Sequence, residues 1–181
     1  MNNAYEIRVV GPQFSEPSVF LRWLHNTYGG SVATVKIGEH DGCYETILPG
    51  EPAVRVLVAR PACWDIKTVY STLLSDGDAV LLMLNRIASL TRLNAEVVDL
   101  VRPAVKRLGV TPVVIANDPH GGSEKFPSQS VDAIRQELAL PWTIRETTIG
   151  PFEQLRWSAG AAEAWQDVMQ AAARHRATLN Q

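Results

Sequence analysis

A chain of 181 residues with a formal net charge of −2 and 20% charged residues is long enough to bury roughly two-thirds of its unfolded surface. It is expected to fold as one domain spanning 1–181. Lys and Arg are scattered along the chain, which argues against a nucleic-acid footprint, and no apolar run reaches the length of a membrane span. Residues 1–5 lack the layout of a signal peptide. The only cysteines, Cys43 and Cys63, imply neither a disulfide framework nor a zinc site, and fit a reducing cytoplasm.

In chain order, Ile7, Val9 and Val10 mark a first strand, which Gly11-Pro12 breaks. A helix follows, with Ser18 as expected N-cap and Phe20, Leu24 and Tyr28 on one stripe. After Gly29-Gly30 come extended runs at 31–38 and 43–48, separated by a turn at His40-Asp41-Gly42, and a strand at 53–59. A hairpin is expected here, with the sheet's one antiparallel strand in it. Residues 65–74 read as a helix that turns Ile66, Val69, Tyr70, Leu73 and Leu74 inward. The run AVLLML at 79–84 suits a strand covered on both faces.

The longest helical pattern follows, capped by Thr91 or Asn94 and closed by Gly109, with a kink or break expected near Val101 because of Pro103. A strand at 111–116, a polar loop at 117–129, a helix at 131–140 started by Ser128 or Ser130, a strand at 142–148 and a helix at 159–176 complete the chain. Trp165 and Met169 are expected on the inner face of that last helix. This alternation predicts an α/β fold, a mostly parallel six-stranded sheet with one antiparallel strand and helices on both faces.

Strand, loop and helix at 5–24 is where an α/β protein keeps a phosphate loop. The frame is Gly, any four residues, Gly, Lys, then Ser or Thr. Laid on Gly11, it places Glu16 where the second Gly belongs, Pro17 where the Lys belongs and Ser18 at the hydroxyl. A phosphate cradle needs backbone N–H groups, a cation and a hydroxyl for the metal. Pro17 has no N–H to give, and Glu16 would set a negative charge beside the phosphates.

The element order and the motif spacing resemble those of Ras-like small GTPases, and more closely the bacterial MglA-type branch, which partners Roadblock-fold proteins. The resemblance covers nearly the whole chain. Arg60-Pro61-Ala62-Cys63 stands where the branch has Thr-Pro-Gly-Gln, and Thr34-Val35-Lys36-Ile37-Gly38 resembles a shortened first-switch segment. Asn117-Asp118-Pro119-His120 stands for the base-reading Asn-Lys-x-Asp. By this resemblance Gly11, Ser18 and Asn117 would contact GTP or GDP with magnesium if nucleotide binding is retained. The loss of the Lys, the second Gly, the switch Gln and the guanine-reading Asp makes efficient hydrolysis improbable.

The resemblance therefore implies a pseudo-GTPase without catalytic residues, cofactor or metal, which binds a Roadblock-type protein or a related GTPase. The expected contact surface is 60–74 with Arg60, Trp64, Ile66 and Tyr70, and the adjacent hairpin. Trp64 reads equally as a core residue and as a partner anchor. The alternative readings are a divergent GTPase completed by a partner, and an unrelated flavodoxin-like domain, which would have no antiparallel strand after the first helix. The four histidines, His25, His40, His120 and His175, show no ligand spacing.

Overall fold

The computed structural model describes residues 4–37, 40–59, 66–150 and 158–181. Strands β1 (Tyr5–Val10), β4 (Val54–Ala59), β5 (Ala79–Asn85), β6 (Val113–Asn117) and β7 (Ile144–Ile149) form a parallel block, extended by β2 (Val32–Ile37), β3 (His40–Leu48) and β8 (Ser158–Ala159). The order across the sheet is β2-β3-β4-β1-β5-β6-β7-β8, eight strands. β3 pairs antiparallel with both β2 and β4, and β8 antiparallel with β7.

The α/β class and the mostly parallel sheet agree with the sequence reading, and the flavodoxin-like alternative falls with the antiparallel β3. The expected count of six does not hold. All three runs between the first two helices are strands, and β8 is a two-residue addition without a sequence pattern of its own. His40 opens β3 instead of forming a turn.

Two helices, α1 (Pro17–Tyr28) and α5 (Ala161–Leu179), cover one face of the sheet. Their residues Phe20, Leu21, Leu24, Trp165 and Val168 pack on Ile7, Val9, Val56, Leu81 and Ile115. The other face carries α2 (Ile66–Leu73), α3 (Arg92–Leu108) and α4 (Val131–Glu137). There Tyr70, Val97, Val101 and Ile134 pack on Val10, Leu82, Leu84 and Val114. Every residue of β5 is buried, as a strand between two helical layers requires.

Helix α3 runs through Pro103 without a break. The proline removes one N–H donor, but Val97, Val98 and Val101 before it and Ala104 and Val105 after it are all buried in one stripe. That burial outweighs a single lost hydrogen bond. Gly109 ends the helix in left-handed geometry at φ 68°. Ser130 caps α4, its side chain accepting from the Ala133 N–H at 3.1 Å.

Candidate functional site

The loop between β1 and α1 sits at the carboxyl ends of the parallel strands, where ligands bind in open α/β sheets. Gly11 begins it. A Cβ there would lie 2.5 Å from the Met83 carbonyl oxygen, so only glycine lets β1 leave the sheet at this point. Tyr70 reaches across from α2, its hydroxyl donating to the Gly11 carbonyl at 2.6 Å and accepting from the Gly11 N–H at 3.1 Å. The loop then closes on itself. The fully buried Ser15 donates to the Pro12 carbonyl from both its hydroxyl, at 2.7 Å, and its N–H, at 3.2 Å.

Two asparagines paired in register at the ends of β5 and β6 tie this loop down. The Asn85 side chain donates to the Gln13 carbonyl at 3.4 Å, and that of Asn117 to the Ser15 carbonyl at 3.2 Å. Asn117 also donates to the Ile149 carbonyl at 3.0 Å and accepts from the Ile149 N–H at 2.7 Å and the Thr147 hydroxyl at 3.1 Å. Its amide has two donors and one carbonyl oxygen with two lone pairs, and all are in use within the protein. Asn85 is held in turn by Asn94, which accepts from its N–H at 2.8 Å and donates to its carbonyl at 2.9 Å.

Glu16 occupies left-handed backbone geometry at φ 65° and ψ 43°, and its carbonyl accepts from the Val19 and Phe20 N–H groups that begin α1. Phe14, two residues earlier, is also left-handed at φ 66°. Alternation of this kind can curl backbone N–H groups around an anion. Pro12 and Pro17 have no N–H, and those of Gly11 and Ser15 are already engaged. Burial holds the Glu16 carboxyl above the usual carboxylate range, opposed in part by the charge of His120.

In the loop that follows β6, the His120 ring stacks on Phe126 with centroids 4.4 Å apart. Asp118 is buried and accepts from the His120 N–H at 3.0 Å and from the Ser128 hydroxyl. Its carboxylate is thereby turned onto its own loop. No group of three metal-ligating side chains occurs among the described residues.

The structure thus brings Gly11 and Asn117 together around one loop, through Ser15 and Asn85. Ser18 is not the cap of α1: Glu16 holds that position without a side-chain hydrogen bond, Pro17 is the first helical residue, and Ser18 lies within the first turn. Tyr70 turns inward as its helical stripe predicts and is 1% exposed. That position corrects its expected place on a contact surface, since a ring buried against Gly11 offers nothing to a partner. Thr34 lies exposed on the edge strand β2, opposite Tyr44. Arg60, Ala62, Cys63 and Trp64 lie outside the described residues, as does the side chain of Ile66, the first residue of α2.

The hydrogen bonds by which Asn85, Asn94 and Ser15 fasten this loop escaped the sequence reading. One signal was present: a lone asparagine ends each of the apolar runs AVLLMLN and VVIAN, and a buried amide at a strand end needs partners nearby.

The sequence matches no protein-family model and no curated protein. Solved structures do match. The G domain of the FeoB iron transporter of T. maritima aligns with a TM-score of 0.58 at 11% identity, over 96% of this chain and 99% of that one. Nucleolar GTP-binding protein 1 of Plasmodium falciparum aligns with a TM-score of 0.59 at 12% identity, over 98% of this chain and 91% of that one. At such identities the likeness is one of fold, and the fold of this chain is that of a G domain.

Proposed function

We propose that this chain is a pseudo-GTPase, a non-catalytic G-domain-like protein that acts as a protein-interaction module. Glu16 is the observation that carries the reading. A half-buried carboxylate occupies the turn that would face a phosphate group, and the next residue is a proline where the motif requires a lysine. A charge-assisted hydrogen bond is worth ~1.5–3 kcal/mol net, and here the sign of the charge is reversed. The side chain that would read a base is already saturated at Asn117, and His120 replaces the discriminating carboxylate.

In its finer form the proposal follows the resemblance to the bacterial MglA-type branch. The partner is a Roadblock-type protein or a GTPase of that branch, met in the cytoplasm through the segment 60–74 and the β2–β3 hairpin. Arg60, Trp64 and Ile66 are its candidate contacts. Tyr70 fastens α2 to the loop at Gly11. Without nucleotide turnover these elements keep one conformation, which makes binding constitutive.

Titration calorimetry of the full chain with GTP, GDP and ATP, each with and without magnesium, tests the proposal. The expected result is no binding heat above dilution. Magnesium-dependent binding at micromolar strength or tighter overturns it.

One observation favours the second reading, a divergent GTPase completed by a cation from a partner: Phe14 and Glu16 keep the left-handed turns of an anion cradle. That reading requires GTP hydrolysis that appears only with the partner and disappears in Ser18→Ala.

A further inference from the structure

We propose that two adjoining hollows beside Arg174 of α5 form a binding site for a small phosphomonoester. The smaller hollow measures about 170 Å³ and the larger about 380 Å³, the second within the range of small-molecule sites. Arg174 and Thr111 line both. Their other walls include Asp78, which precedes β5, and Thr143, which precedes β7. The site therefore lies at the amino ends of the parallel strands, opposite to the loop at 11–17.

One stripe of α5 builds the helical wall. Asp167, Ala171, Arg174 and Thr178 follow one another at helical spacing, and the small Ala171 leaves room beside Arg174. In the larger hollow Pro112, Val113 and Ile144 supply apolar surface for the body of a ligand.

The charges select the head group. Asp78 accepts from Arg176 at 2.9 and 2.6 Å and from the Glu6 N–H at 2.7 Å. Asp167 accepts from Arg145 at 3.0 and 2.6 Å. Both acids are thus neutralised by arginines of their own. Arg174 makes no hydrogen bond or ion pair among the described residues, so its charge is left over where the two hollows meet. The His175 ring beside it in the smaller hollow is likewise without a partner among those residues. A guanidinium offers a fork of N–H donors that matches phosphate oxygens. An imidazole donates from at least one nitrogen in either protonation state, and the exposed Thr111 hydroxyl adds another donor. Helix α5 ends at Leu179, so Arg174 stands before the last turn, to which the negative pole of the helix is confined.

The test is an NMR titration of the ¹⁵N-labelled full chain with phenyl phosphate. Phenol serves as the arm without the anion and inorganic phosphate as the arm without the body. Saturable shifts are expected for phenyl phosphate with a Kd of about 1 mM or tighter, centred on the amides of 109–111, 143–145 and 171–178. Inorganic phosphate is expected to bind roughly threefold or more weakly, and phenol without saturation.

Arg174→Glu and Thr178→Glu reverse or oppose the charge from exposed positions. Both are expected to weaken phenyl phosphate roughly tenfold or more while the spectra stay dispersed. Arg174→Lys, which keeps the charge and loses the fork, should weaken it less than Arg174→Glu. Arg92→Glu, at an exposed position on the opposite helical layer, should leave it unchanged. Shifts that never saturate, shifts centred on 11–18, undiminished binding in Arg174→Glu, or inorganic phosphate as tight as phenyl phosphate would each overturn the proposal. No variant touches residues 11–17, so the nucleotide titrations above stand or fall separately.

Discussion

Glu16 combines an unfavourable backbone with an unfavourable charge, and the two can be separated. Left-handed geometry costs a non-glycine residue roughly 1–2 kcal/mol, while glycine loses about 0.5–1 kcal/mol more than alanine in ordering entropy. Relief of strain in Glu16→Gly therefore nets up to about 1 kcal/mol. The charge adds a pH dependence. Burial raises the carboxyl pKa in the folded protein, with His120 opposing. Below about pH 4 both folded and unfolded chains keep the proton. As pH rises, the unfolded chain releases it first, so stability falls through the interval up to the raised folded value and stays lower above it. Urea unfolding should show Glu16→Gln more stable than the parent at pH 7, with the gain shrinking at pH 4. Glu16→Gly should keep a gain at both. A gain in Glu16→Gln that is equal at the two pH values would contradict the burial argument. The place of Glu16 in the phosphate-loop frame was legible in the letters because that frame has a fixed spacing. The backbone that Glu16 adopts was not, because propensity disfavours it and only the surrounding contacts enforce it. The contact of Tyr70 with Gly11 was hidden for another reason: the two lie 59 residues apart.

Among the elements, β5 and β6 announce themselves as apolar runs, and α3 by its stripe, so their existence was readable from periodicity alone. Pro103 misled because local rules weigh a lost N–H, while the fold weighs the buried valines on both sides of it. Strand β8 has two residues, too few for any period. How the elements are fastened together at the loop was also invisible. Asn117 alone joins the loop before α1, the end of β6 and the end of β7 through Ser15, Thr147 and Ile149. Asn117→Ala would leave several buried groups without partners, each worth about 1–3 kcal/mol and not additive. A loss of upwards of ~3 kcal/mol in urea unfolding is expected, with amide protection reduced at Ser15 and Ile149 first. If the fold depended on Asn117 only as the last residue of a strand, the variant would lose under about 1 kcal/mol, in the range of an ordinary surface change.

For the molecule as a whole, ligand binding and thermal stability are linked, which gives the nucleotide question a scale. A ligand that binds only the folded state stabilises it by RT ln(1 + [L]/Kd), about 4 kcal/mol when present at a thousand times its Kd. For a chain of this size each kcal/mol raises Tm by roughly 2–4 °C. A G domain holding GTP at ~1 μM should therefore melt ~8–16 °C higher in ~1 mM nucleotide with magnesium. This chain is expected to shift by under about 1 °C, which at the same concentration corresponds to a Kd of roughly 1 mM or weaker. The expectation rests on three features of one site. Glu16 places a carboxylate at the turn, Pro12 and Pro17 reduce the available N–H groups, and Asn117 has no donor or lone pair to spare. On the proposed reading each bears on a different part of the nucleotide, so Glu16→Gly with Pro17→Lys should confer phosphate affinity without base preference. In a melting scan, ATP and GTP should then raise Tm equally. A shift for GTP alone in that double variant would mean that the base side still reads guanine, and that His120 is not the loss it is taken to be.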